Sequence, residues 1–296
     1  MLPHVRIDLH THTRASDGTH SPSELVALAA AQGLDVVGLT DHDSAAGWDE
    51  AARAAAEVDV TVVLGLEIST KYSGAGVHLL AYLPDPAYPP LVDELDRILE
   101  GRTGRLAAML ARLRAAGLEI EEQEVMRRAG TAAAIGRPHV ADVLVAKGYV
   151  ADRTEAFATW LDYGRAGYVN RYATSTTDMV RIVSEAGGAA VIAHPWGRGS
   201  RQVLDRAVLA ELRGAGLVGI EVDHQDHDAG ARVALRELAA DLGLVVTGSS
   251  DFHGTGKVDH ELGCNLTAPD QYERLLDAAA RNASAAGSDV PVALRP

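Results

Sequence analysis

The 296-residue chain contains a single cysteine, Cys264. An intramolecular disulfide is thereby excluded, and so is a zinc cluster built on thiolates, so any metal site must come from histidines and carboxylates. Aromatic residues are scarce at 4%, with two phenylalanines, and the stacking platforms that hold single-stranded nucleic acid are correspondingly few. Positive charge is in deficit, the formal net charge being −14. Such a surface repels a polyanion at long range, which argues against duplex DNA as a partner but not against a small phosphate held beside cations. No apolar run approaches the roughly 18 residues of a membrane span, and no charged start followed by an apolar segment resembles an export signal. A cytoplasmic protein without a membrane partner is expected.

What is present is ordinary globular material with an unusual placement of histidine. Hydrophobic residues make up 47% of the chain, mostly Ala, Leu and Val, and the length suits one large α/β domain or two modest ones. Residues 88–175 hold 12 basic and 12 acidic residues, so the whole acidic excess lies outside that stretch. Short runs such as "VRIDLHTH", "DVVGLTDHD", "VTVVLGLEIS", "VHLLAYL", "AAVIAHP", "LVGIEVDH" and "GLVVTGSSDFH" have the length and composition of buried strands. Helix-like stretches separate most of them. The first has Ser21 as N-cap, Pro22 opening the helix, Glu24 completing a capping box and Gly33 past the last turn. The second, "SAAGWDEAARAAAEV", is alanine-rich. This alternation predicts a parallel sheet, and seven such units favour a closed or nearly closed barrel over an open doubly wound sheet.

The alternation stops at residues 88–175, which carry no good strand. Leu106, Met109, Leu110 and Leu113 recur at helical spacing and Gly117 reads as a stop, with further helical pieces at 121–129, 137–147 and 152–162. Two parts are expected: a barrel domain from residues 1–87 and 176–296, and an inserted helical subdomain at 88–175 that caps the barrel mouth. A loose tail is expected near 282–296.

In "IDLHTHT", His10 and His12 are two residues apart on a strand and share one face. The strand endings supply His10 and His12, Asp41 and His42, Glu67, His78, His194, Glu221 with His224, and Asp251 with His253. Active sites of parallel α/β folds form at that end of the strands. At least six of the 12 histidines fall there, which predicts a polynuclear metal site.

The segments "DLHTHT", "SDG", "GLTDHD", "GLEIS", "AHP" and "SSDFHG" resemble, in this order and spacing, the motifs of the polymerase and histidinol phosphatase (PHP) family of metal-dependent phosphoesterases, over nearly the whole chain. The inserted "GRPHVADVLVAKGYV" and "GYVNR" further resemble the branch that acts on nucleoside monophosphates and 3′,5′-bisphosphates or trims the 5′ end of short RNA. The resemblance implies a distorted (β/α)7 barrel with two or three divalent ions, and Mn, Fe and Zn all accept such ligands. It implies that His10, His12, Glu67 and Asp251 hold one ion, that Glu67 bridges to a second with His78 and His194, and that Asp17, His42 and His253 hold a third. Asp17 stands where some members carry histidine, which favours a harder ion. Asp223 stands where relatives often carry tyrosine.

A phosphate ester dianion repels nucleophiles, and paired ions about 3.5–4 Å apart remove that obstacle. The expected reaction is hydrolysis of the phosphate monoester of a small nucleotide, AMP or a 3′,5′-bisphosphonucleoside, extending to the 5′ end of short RNA, by attack of a metal-bound hydroxide in line with the leaving oxygen. Glu67, His227 and Asp251 are the candidate catalytic residues, with His227 as proton donor to the leaving group. Arg137 and His139 in "GRPH" and Arg171 in "YVNR" are expected to bind substrate. Lys257 and Arg198 are loop cations near the mouth. Asp41 either orients a ligand or caps the next helix, Asp43 is expected to face solvent, and His4, His20 and His260 are expected to be structural or surface residues. Rival readings are a histidinol-phosphate phosphatase, a polymerase proofreading domain, an amidohydrolase, and a binding module whose ions only hold the fold.

Overall fold

The structure, a computed structural model, describes residues 5–197, 200–288 and 293–294. Its elements run β1 (Ile7–Thr11), α1 (Pro22–Ala31), β2 (Val36–Leu39), α2 (Trp48–Ala55), β3 (Thr61–Tyr72), β4 (Ala75–Tyr82), α3 (Pro89–Ala115), α4 (Glu122–Ala129), α5 (Arg137–Ala146), α6 (Arg153–Ala156), β5 (Thr174–Ser175), α7 (Thr176–Glu185), β6 (Ala189–Ile192), α8 (Arg206–Ala215), β7 (Leu217–Asp223), α9 (Ala229–Leu242), β8 (Val245–Gly248) and α10 (Pro269–Ala286). Helix α1 starts as its residues dictate: the Ser21 hydroxyl accepts from Glu24 N–H, the Glu24 carboxylate accepts from Ser21 N–H, and Gly33 follows the helix at φ 68°. Helix α2 starts only at Trp48, later than its alanine-rich run suggests.

The strands form one curled sheet in the order β1-β2-β3-β4-β6-β7-β8, with β5 beside β3, and its two edges approach at a parallel bridge between Thr11 and Phe252. The fold is therefore mixed α/β. The sheet is not wholly parallel, as the alternation of strands and helices predicts, because β4 runs antiparallel to both β3 and β6. The cause is the length of the connection. Tyr72 pairs with Ala75 across Ser73 and Gly74, both at positive φ, 47° and 85°. Such a two-residue turn reverses the chain, whereas a parallel return needs a crossover of roughly a dozen residues. His78, expected at a strand's carboxyl end, instead lies near the start of β4 opposite Ser69 of β3, and the reversal returns it to the rim where Glu67 sits.

In β3, Val62, Leu66 and Ile68 join the apolar cluster that includes Leu25 and Val26 of α1 and Ala51 of α2, while Val63 packs in a second cluster with Leu80, Tyr82 and Val191. Strand alternation puts Glu67 on Val63's face. Residues of α3 to α6 pack around a third cluster of their own, including Leu106, Met109, Leu110, Leu113, Val125, Val140 and Leu144. The helices expected at 121–129, 137–147 and 152–162 are α4, α5 and α6, the last continuing into a π-helical turn at Phe157–Leu161. One short strand, β5, falls in the stretch expected to have none. Helix α10 runs to Ala286 and Leu294 pairs with Val62, so the described part of the expected loose tail is ordered. The rest of that tail, together with His4 and Arg198, lies outside the described residues. Among the described residues, no helix is long and apolar enough to cross a membrane.

Candidate active site

Strand β1 delivers His10 and His12 side by side, both fully buried, with their Nε2 atoms 3.0 Å apart. Glu67 Oε2 lies 3.3 Å from His10 Nε2 and 3.1 Å from His12 Nε2, and Asp251 Oδ1 lies 3.5 and 3.3 Å from the same two atoms. Glu67 divides its oxygens, because Oε1 meets His78 Nδ1 at 2.7 Å and His194 Nε2 at 3.0 Å. A third group forms on the other side of His12. There the Asp17 carboxylate lies 3.7 Å from His42 Nε2, 3.4 Å from His253 Nε2 and 3.8 Å from His12 Nδ1. Every residue expected as a ligand thus converges here, in three groups that share Glu67 and His12.

The donor set fits divalent ions. The rings are held so that a lone pair points inward: His10 Nδ1 donates to Glu221 Oε1 at 3.1 Å and His253 Nδ1 to the Asp251 carbonyl at 2.8 Å. Each leaves Nε2 facing the carboxylates, which is how outer partners orient metal-binding histidines. Imidazole nitrogen with carboxylate oxygen suits Mn, Fe or Zn. His194 and Asp251 also hold positive φ values, 28° and 52°, strained conformations of the kind that concentrates at functional sites.

Charge in the site is stored against the cost of burial. Burial opposes ionisation of Glu67, yet the imidazoles of His78, His42 and His10 outweigh it and hold the carboxyl well below the usual range. Asp17 is held down in the same way by His42 and His253, and Asp251 by Lys257 and His10. For His12, burial is overcome by hydrogen bonds to Asp251 and Glu67, and its pKa is pushed up to about 9.

Several expected roles change. His227 is not placed to donate a proton: its Nδ1–H goes to the Val222 carbonyl at 2.9 Å and its Nε2 accepts from Trp196 N–H at 3.2 Å, so the main chain uses both nitrogens. His139 is likewise engaged twice by main chain, Nδ1 accepting from Gly136 N–H at 3.2 Å and Nε2–H donating to the Ser16 carbonyl at 3.0 Å. Asp41 caps no helix; it accepts from Thr13 N–H and from the Thr13 and Ser16 hydroxyls at 2.8, 2.6 and 2.5 Å, bracing the loop after β1. The Lys257 ammonium rests against Asp251 Oδ2. His260 is buried near His224 and Asp226, but His224 Nδ1 already accepts Asp226 N–H at 3.0 Å, and the charge of Lys257 acts on His260.

Asp43, expected to face solvent, is fully buried at φ 53°. It accepts from Arg102 Nε at 2.6 Å, and from the Ser69 N–H and hydroxyl at 2.6 and 3.0 Å. One turn along α3, Arg105 is 8% exposed, and its Nε has no hydrogen-bond partner among the described residues. Burial and the guanidinium groups of Arg171, Arg102 and Arg137 all disfavour its cation and lower its pKa. Arg137 lies over the Phe157 and Tyr168 rings and donates to the Leu161 carbonyl at 3.2 Å. The two expected substrate arginines, Arg137 and Arg171, are therefore joined by two that sequence reasoning missed. A signal existed, since Arg102 and Arg105 occupy buried positions on the face of α3 that also carries Ile98, Leu106 and Met109, and charge there breaks the amphipathic pattern.

The matching of these motifs extends beyond short segments, for a family profile of the PHP domain covers residues 8–182. The chain belongs to the PHP domain family. Within reach of this PHP chain, the 3′,5′-nucleoside bisphosphate phosphatase of Chromobacterium violaceum is 37% identical over 259 residues, 88% of this chain and 91% of that protein. The 5′-3′ exoribonuclease of Haemophilus influenzae is 33% identical over 266 residues, 90% and 96% of the two chains. Among solved structures, a Bifidobacterium adolescentis protein described as a metal-dependent phosphoesterase superposes with a TM-score of 0.88 at 35% identity, over 93% of this PHP chain and 97% of that one.

Proposed function

We propose that the chain hydrolyses the phosphate monoester of a small nucleotide and prefers a 3′,5′-bisphosphonucleoside to AMP. The broader class, a metal-dependent phosphoesterase acting on nucleotides, is that of its family and relatives. The finer reading rests on one observation: an arginine cluster, in which Arg102 and Arg105 are buried and Arg105 Nε has no hydrogen-bond partner among the described residues, adjoins the His and carboxylate groups. Asp43, next in the chain to His42, pairs with Arg102 and ties the two regions together. A nucleotide with one phosphate fills only the His and carboxylate rim. A second phosphate, or the next phosphodiester at the 5′ end of a short RNA, also meets the arginines.

In this reading His10, His12, Glu67 and Asp251 would hold one divalent ion, Glu67, His78 and His194 a second, and Asp17, His42 and His253, with His12, a third. Mn, Fe or Zn there would acidify a water, polarise phosphoryl oxygens and neutralise the leaving oxygen. The chain's own part is positional. Glu67 ties two ligand groups together through one carboxylate, and Glu221 fixes the His10 ring. The guanidinium groups of Arg105, Arg137 and Arg171 bind the phosphate that is not cleaved and so orient the one that is. Residues 88–175, which carry these arginines, form a cap over a distorted (β/α)7 barrel built from residues 1–87 and 176–296.

The test is steady-state hydrolysis of 3′,5′-bisphosphoadenosine, AMP, a 5′-phosphorylated trinucleotide and histidinol phosphate, each with Mn added and with chelator. The expected result is Mn-dependent phosphate release with the highest kcat/KM on the bisphosphate. Faster release from histidinol phosphate, or amide cleavage without phosphate release, would reverse the reading.

A further inference from the structure

The loop that presents Asp17 is held from outside the barrel. Three consecutive carbonyls, those of Ala15, Ser16 and Asp17, each accept a hydrogen bond from the inserted segment: from Ala133 N–H at 3.0 Å, from His139 Nε2–H at 3.0 Å and from Arg153 Nη1 at 3.0 Å. Both side-chain donors are themselves fixed. His139 Nδ1 accepts Gly136 N–H, which leaves the proton on Nε2, and burial lowers its pKa in keeping with a neutral ring. Arg153 is pinned by a forked pair to Asp142, Nε to Oδ1 at 2.6 Å and Nη2 to Oδ2 at 2.8 Å. From the other side Asp41 holds Thr13 and Ser16. A Cβ on Gly18 would lie 2.4 Å from the His12 carbonyl oxygen, so the far end of the loop lies tight against β1's continuation.

With its main chain clamped, the Asp17 carboxylate is aimed at His42 and His253. We propose that His139 and Arg153 are positioning residues that set Asp17 for the third divalent ion, so that the inserted segment builds part of the ion site as well as binding substrate. The proposal rests on the ion assignment made under the proposed function. His139 stands one residue beyond Pro138 from Arg137, on the first turn of α5. One helix turn therefore joins the substrate arginine to the loop of the ion ligand.

The test is Mn content after chelation and reloading of the full chain, measured by elemental analysis, with the third-ion affinity from titration. Asp17→Asn is expected to lose one ion of three. His139→Ala and Arg153→Ala are expected to weaken the third ion about tenfold or more while keeping the other two, the scale on which outer partners act. His139→Gln is expected to restore it, because its amide donates to the Ser16 carbonyl and accepts Gly136 N–H as the imidazole does. If Asp17→Asn loses one ion while Arg153→Ala and His139→Ala bind all three as the parent does, or if Gln fails to outperform Ala, the positioning role is wrong and the ion assignment survives. If Asp17→Asn keeps all three, the ion assignment fails and takes this inference with it.

Discussion

Glu221 Oε1 lies 3.1 Å from His10 Nδ1, and the other oxygen of the same carboxylate accepts the main-chain N–H of His194 at 2.8 Å. One buried side chain thus orients residues of two different ligand groups. Glutamine at this position keeps a single acceptor, so either His10 or His194 loses its partner. Outer-shell partners are worth roughly 10–100-fold in metal affinity. Glu221→Gln is expected to weaken Mn binding by about tenfold or more, as read by calorimetric titration of chelated protein; an unchanged affinity would remove Glu221 from the orienting role.

Glu67 stands in two groups, with Oε2 facing His10 and His12 and Oε1 facing His78 and His194. A single amide substitution should therefore disturb two ions, whereas loss of His78 should disturb one. Glu67→Gln is expected to lower Mn content by about two per chain and kcat by about a thousandfold, the several kcal/mol that ion chemistry supplies at about 1.4 kcal/mol per decade. Elemental analysis and initial rates on one preparation check both figures. Equal losses from Glu67→Gln and His78→Ala would rule out the shared carboxylate.

How much of this could be read beforehand depended on whether the signal was local. The residue pair His10 and His12, and the capping box of Ser21 with Glu24, declare themselves within a few positions, and the structure follows them. Strand direction at β4 is also local, but its cue is confined to the two residues Ser73 and Gly74, against a surrounding alternation of strands and helices that points to parallel strands. The partners of Asp43 and His139 lie 59 and 123 residues away, beyond the reach of any local pattern. A short polar side chain after a strand is normally solvated, and only tertiary packing makes it a buried acceptor.

The Asp43–Arg102 pair is buried at 0% and 5% exposure. Pairs of this kind add little net stability, but removing one partner strands a charge, at a cost of about 3–5 kcal/mol. Here Arg102 would be left beside Arg105 and Arg171, which already oppose it. Asp43→Ala is expected to lose about 3–5 kcal/mol in urea unfolding, and Arg102→Met added to it to recover most of that loss. If the double variant is as unstable as the single one, the loss comes from the Ser69 hydrogen bonds rather than from the stranded cation.

Arg105 should show the opposite sign. Its guanidinium is buried among like charges with Nε unsatisfied among the described residues, an arrangement that costs the free protein stability and is relieved only when an anion arrives. Arg105→Met keeps the volume of the side chain and removes the charge. It is expected to raise the thermal midpoint of the substrate-free protein by a few degrees, while raising KM for 3′,5′-bisphosphoadenosine about 10–100-fold, the worth of a charged hydrogen bond of about 1.5–3 kcal/mol. The KM for AMP, which lacks the second phosphate, should move much less. Stability and affinity must shift in opposite directions if the residue is kept for binding. A variant that is less stable and equally poor on both nucleotides would mean that Arg105 supports the packing of α3, and the preference for a second phosphate would need another source.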